Sequence, residues 1–87
     1  MEKYNKRTWL NNAESSSTSN IVAFDGDVKY SDEIFRDTFV HISDCKNSIK
    51  LHKKDSEPME SFIEKLKLLK TEIELFINNL EQKNEYK

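Results

Sequence analysis

Between residues 59 and 80 the apolar side chains Met59, Phe62, Leu66, Leu69, Ile73, Phe76 and Leu80 recur at alternating intervals of three and four. An interval averaging about 3.5 holds one stripe of an α-helix toward one partner, so this part of the chain reads as a single long amphipathic helix. At 1.5 Å per residue, a helix of about 24 residues is roughly 36 Å long, more than a small sheet can cover. Ile63 and Ile77 widen the stripe, whereas Leu68 and Leu75 fall on another side. Two apolar sides need two coverings: the protein's own sheet and a further surface. We expect that further surface to be a partner chain in a homo-oligomer, a dimer or larger, with Leu68 and Leu75 at the interface. The competing arrangement folds the N-terminal segment back over them through Trp9 and Leu10.

Upstream, the period changes from that of a helix to that of a strand. Ile21-Val22-Ala23-Phe24 is β-prone, Asp25-Gly26 is a hairpin signal, and Val28-Lys29-Tyr30 follows. Ser31-Asp32-Glu33 marks a break before the longest strand candidate, residues 34–43. One face of that strand carries Ile34, Arg36, Thr38, Val40 and Ile42; the other carries Phe35, Asp37, Phe39, His41 and Ser43. A turn at residues 44–48 leads to Ile49-Lys50-Leu51-His52-Lys53, which alternates as a half-buried strand does. Asp55 or Ser56 is then expected to cap the helix, with Pro58 in its first turn. Residues 1–20 form a polar arm ending in a Ser/Thr/Asn run, which favours loop over strand.

The expected fold is therefore α+β: a small antiparallel sheet of three to four strands followed by one long C-terminal helix. Residues 1–20 are the arm and 21–87 the single domain. Phe62, Leu66, Leu69, Ile73 and Phe76 are expected to form the core against Val40, Ile42, Ile49 and Leu51. Beyond residue 81 the tail is expected to fray.

With 87 residues there is room for one small core, and oligomerisation is a common support for such domains. A formal charge of −2 gives no electrostatic drive for general nucleic-acid binding. No stretch has the length of a membrane span, and the polar start lacks a signal-peptide apolar core. A single cysteine, Cys45, cannot close an internal disulfide. These features together predict a cytoplasmic protein.

Three groups of residues could carry chemistry. His41, Asp44, Cys45 and His52 contain the parts of an activated thiol or a zinc site, but they lack the spacing and flanking motifs that either requires. We therefore expect no catalysis, metal or cofactor. Lys50 and His52 share the exposed side of the last strand with further lysines nearby, and Arg36 lies on the preceding strand. Lysines often protect an edge strand from aggregation, yet such a patch also suits phosphate. In the arm, Arg7 and Trp9 pair a guanidinium with an indole, which suits a phosphate and a stacked ring or a simple anchor to the core. Arg7, Trp9, Arg36, Lys50 and His52 are accordingly the candidate ligand-binding residues, and the expected ligand is anionic.

The sequence elements Trp9-Leu10-Asn11, Ser17-Thr18, Ile42-Ser43-Asp44-Cys45 and Ile49-Lys50-Leu51-His52, closed by the amphipathic helix, resemble small proteins of tailed bacteriophages. The resemblance implies host takeover or anti-defence activity. In that setting a non-catalytic protein sequesters a nucleotide-derived immune signal or masks a host protein in the host cytoplasm. It transfers no site residue. The alternative from a different class is a small regulatory nucleic-acid-binding protein that uses the basic last hairpin.

Overall fold

A computed structural model describes residues 3–11 and 18–83. Residues 1–2 and 84–87, and residues 12–17 of the polar run, lie outside the described residues, as does the expected fraying of the extreme tail. The fold is α+β: a four-stranded antiparallel sheet followed by one helix. The strands are β1 (Tyr4–Trp9), β2 (Asn20–Tyr30), β3 (Glu33–Asp44) and β4 (Asn47–His52), in the spatial order β1-β2-β3-β4, and the helix is α1 (Met59–Gln82). The chain divides into two units, Met1–Lys53 and Lys54–Lys87.

In the first unit, β1 is a strand within the polar arm of residues 1–20, ahead of the Ser/Thr/Asn run. Tyr4–Trp9 carries no apolar alternation, but its backbone is paired along β2 from Tyr4↔Asp25 to Trp9↔Asn20. Leu10 N donates to Ser19 O at 2.9 Å and Asn11 Nδ2 donates to the same carbonyl, which closes the connection beyond the last ladder pair.

A correction concerns Asp25-Gly26. The pair does not turn; β2 runs through it, with Asp25 opposite Thr38 and Gly26 opposite Asp37. Turn propensity is local, and here a cross-strand network overrides it. Asp25 accepts two hydrogen bonds from Arg36, each 2.8 Å, and one from Thr38 Oγ1 at 2.7 Å. The reversal occurs instead at Ser31-Asp32, between the paired Tyr30 and Glu33. Ser31 has φ +59°, the positive value that the first position of a primed hairpin turn requires. The β3–β4 turn is likewise tighter than the expected five residues. Asp44 pairs with Asn47, leaving Cys45-Lys46 as the loop, with Cys45 at φ +38°.

In the second unit, helix α1 has the expected extent but a different start. Pro58, with φ −64° and ψ 149°, is the N-cap and makes no side-chain capping bond, so neither Asp55 nor Ser56 caps it. A residue before proline is driven out of the α region, which keeps the helix from beginning earlier. Glu57 instead belongs to the approach: its N–H donates to Lys54 O at 3.0 Å, and its carboxylate lies 3.4 Å from Lys65 Nζ.

Phe62 is the only fully buried large hydrophobic among the described residues, at 1% exposure. Met59, Leu66 and Leu69 are half-buried. Ile73 and Phe76, expected in the core, are exposed, as are Leu80 and, on the sheet, Ile49. Along the helix stripe, exposure thus rises from the first half to the second.

Candidate functional site

Antiparallel register puts directly paired residues on the same face, so the ladder assigns every strand side chain to one of two faces. One face presents three consecutive cross-strand rows. The first is Trp9, Asn20, Ser43 and Ser48; the second Arg7, Val22, His41 and Lys50; the third Asn5, Phe24, Phe39 and His52. Successive rows are about 7 Å apart, two residues along a strand. None of these twelve positions carries a carboxylate.

The third row is a contiguous run of rings. Phe24 and Phe39 stack with centroids 5.3 Å apart and planes 16° from parallel, and Phe39 meets the His52 ring at 6.3 Å. Cations seat on these rings. Lys50 Nζ lies 4.1 Å from the Phe39 centroid and Lys3 Nζ 5.8 Å from that of Phe24. At the first two rows, Arg7 Cζ is 6.0 Å from the Trp9 ring, itself 58% exposed. Gly26 makes room for Lys3: a Cβ there would come within 2.8 Å of Lys3 Cγ. His52 Nε2 is hydrogen-bonded to the Asp37 carboxylate. A carboxylate only accepts, so Nε2 carries the proton and Nδ1 is the acceptor, or a second donor when the ring is charged.

The structure brings four of the five candidate ligand residues, Arg7, Trp9, Lys50 and His52, onto this face. It does not bring Arg36, whose partner in the ladder is Asp27 on the opposite face. There Arg36 is committed to Asp25 in a bidentate pair, and it holds the Asp25 carboxyl down at about 2, against an ordinary 3.8. The Thr38 hydroxyl adds to the lowering and partial burial opposes it. Arg36 drops out of the site on these grounds. Leu68 and Leu75 are exposed on α1.

Sequence reasoning missed Phe24, Phe39, His41 and Lys3 as members of this group. The signal was present in the alternation of β3, which puts Phe39 and His41 on the same side as Lys50 and His52 once the hairpin is closed. Phe24 was obscured by the turn expected immediately after it.

The elements of thiol chemistry are dispersed. His41 lies in the second row beside Val22 and Lys50, Cys45 is at the exposed turn, and Asp44 accepts a hydrogen bond from Ser19 Oγ. Among the described residues no three His, Cys, Asp or Glu side chains group as a metal site. No helix among them is long and apolar enough to cross a membrane. Comparison of the chain with protein-family models, curated proteins and solved structures finds no match.

Proposed function

We propose that the ring-lined face of the sheet binds an anionic, ring-bearing ligand of the nucleotide class and holds it without turning it over. The observation that carries this reading is the seating of three cations, Lys3, Arg7 and Lys50, on aromatic rings of one face. A ring quadrupole attracts a cation without neutralising it, so each charge is fixed in position yet remains available to a phosphate. Arg7 adds a fork suited to two phosphate oxygens, and Lys50 a point charge. The exposed indole of Trp9 offers a surface on which a base can stack.

Binding without chemistry is favoured by the composition of the face: donors and rings, with one carboxylate at its end, Asp37, engaged by His52, and the one thiol away at a turn. In the phage setting implied by the sequence resemblance, such a protein would sequester a nucleotide-derived signal. A second reading, single-stranded nucleic acid, is favoured by the spacing of the rings. Trp9 lies two rows from Phe24, about 14 Å, which is longer than one mononucleotide unit.

Calorimetric titration with ADP-ribose, a cyclic dinucleotide and a short single-stranded oligonucleotide tests both readings. Saturable binding that Arg7→Ala and Lys50→Ala weaken and Arg36→Ala leaves in place supports the site. Oligonucleotide binding alone, falling steeply with salt, selects the second reading. Absence of binding by all three, with a stoichiometric co-purifying protein, would assign the protein to masking a host surface instead.

A further inference from the structure

Within its own unit, the second half of α1 carries an apolar stripe that none of the described residues covers. Ile73, Phe76 and Leu80 are 47%, 62% and 52% exposed, and Ile77 beside them is also exposed. We infer that this stripe is the contact for a second copy of the chain, and that the two helices pair antiparallel about a two-fold axis between residues 74 and 75.

Register and charge select this pairing. In heptad notation Leu66, Ile73 and Leu80 take a positions, and Phe62, Leu69 and Phe76 take d positions. Lys65, Glu72 and Asn79 then fall at g, and Ile63, Lys70 and Ile77 at e. A parallel pair sets each g residue against the e residue five positions on in the partner. That brings Lys65 against the partner's Lys70, twice by symmetry, at the start of the exposed segment.

Antiparallel pairs stack a on d, with g flanking g and e flanking e. Three antiparallel registers, each one heptad apart, layer Ile73 on an apolar d residue of the partner. The first layers Ile73 on the partner's Phe62, a side chain already buried within its own chain. The second places Glu72 against the partner's Glu72 and Lys70 against the partner's Lys70. The third layers Leu69 on the partner's Leu80 and Ile73 on the partner's Phe76, and no like charges meet. Its flanks set Glu72 beside the partner's Asn79, a carboxylate with an amide donor. They also set Lys70 beside the partner's Ile77, over which a lysine stem can lie. This register uses only the half-buried Leu69 and the side chains that are bare.

The predicted contact spans about three turns, short against a standard interface of about 1,600 Å². Dissociation on the order of micromolar is therefore expected. Because the helix pairing does not involve Arg7, Trp9, Lys50 or His52, it stands independently of the proposed ligand face.

The test uses the full chain with Cys45→Ser to remove the native thiol. Ile73→Cys and Phe76→Cys chains are oxidised separately and as a mixture, and sedimentation equilibrium is run on the unsubstituted chain and on Phe76→Asp. Expected are a mass approaching double at high concentration, a monomeric Phe76→Asp of unchanged helix content, and mixed disulfides at least tenfold above either chain alone. Efficient cross-linking of Phe76→Cys with itself would mean a parallel pair and overturn the register. A monomeric mass at all concentrations, or equal yields from every combination, would overturn the interface.

Discussion

On one face of the sheet Arg36 is committed through two 2.8 Å bonds to Asp25; on the other, Arg7 and Lys50 lie over Trp9 and Phe39. Both arrangements immobilise a cation on a long, flexible side chain. The carboxylate cancels the charge it fixes, whereas the ring fixes the charge and leaves it in place. The same residue types thus serve cohesion on one side and attraction of an anion on the other. What separates them is the chemistry of the cross-strand neighbour, set by the register: Asp25 lies beside Thr38 and diagonal to Arg36, while Phe39 lies beside His52 and diagonal to Lys50.

The largest expected effect on stability comes from the ring face. Phe39 stacks on Phe24, touches His52 and seats Lys50, but it is only half-buried. Phe39→Ala should cost about 2 kcal/mol by urea denaturation, below the 3–5 kcal/mol of a fully buried phenylalanine. It should also weaken probe binding by unseating Lys50. A loss of stability with binding intact would show that the ring is cohesive only and would erase the contrast between the faces.

The Arg36 face should report itself through pH. The Asp25 carboxyl is held at about 2, below its ordinary 3.8, so the folded state favours its ionised form. The stabilisation is therefore present above about pH 4 and is lost as pH falls toward 2. The pair is partly solvent-exposed, with Asp25 at 32% and Arg36 at 49%, so screening limits the effect to about 1 kcal/mol. Asp25→Asn should lower stability by that amount at pH 7 and flatten this part of the acid profile, with probe binding unchanged. An Asp25→Asn protein with the same acid profile as wild type would remove the pair from the account.

Much of this organisation is legible in sequence, and its failures have physical causes. The alternation over residues 34–43 and 49–53 identifies β3 and β4 with their faces, and the heptad identifies α1. Strand β1 is not legible because Tyr4–Trp9 has no apolar side; its ladder with β2 makes it a strand. Asp25-Gly26 has the composition of a turn, but Arg36 and Thr38 reach Asp25 from a strand beginning several residues later, a fact no local window contains. Lys50 and His52 are identifiable from alternation alone. Charge alone groups Arg36 with them, although its own alternation sets it among Ile34, Thr38 and Val40. Where residue type and strand parity disagree, parity gives the correct face.

Two smaller changes act at the turn and at the edge of the ring face. Ser31→Gly relieves a left-handed backbone at the β2–β3 turn and should raise stability by about 0.5–1 kcal/mol in thermal melts without altering either face. Any change in probe affinity there would mean that the faces are coupled through the hairpin. Gly26 is buried and an added Cβ would meet Lys3 Cγ at 2.8 Å, so Gly26→Ala should lower stability by up to about 1 kcal/mol, the steric cost being offset in part by alanine's lower unfolded-state entropy. The added methyl displaces Lys3 and so should weaken binding by less than Lys50→Ala does. An unchanged affinity would exclude Lys3 from the site.

Whether cations on rings, rather than cations on carboxylates, receive the ligand is decided by side-chain NMR during titration with ADP-ribose. The Nε–H resonances of Arg7 and Arg36, the Trp9 indole N–H and the ring protons of His41 and His52 are followed together. Expected are saturable shifts at Arg7, Trp9, His41 and His52, with Arg36 Nε–H unmoved in its bond to Asp25. Shifts centred on Arg36, or none at any of these groups, would contradict binding at the ring-seated cations.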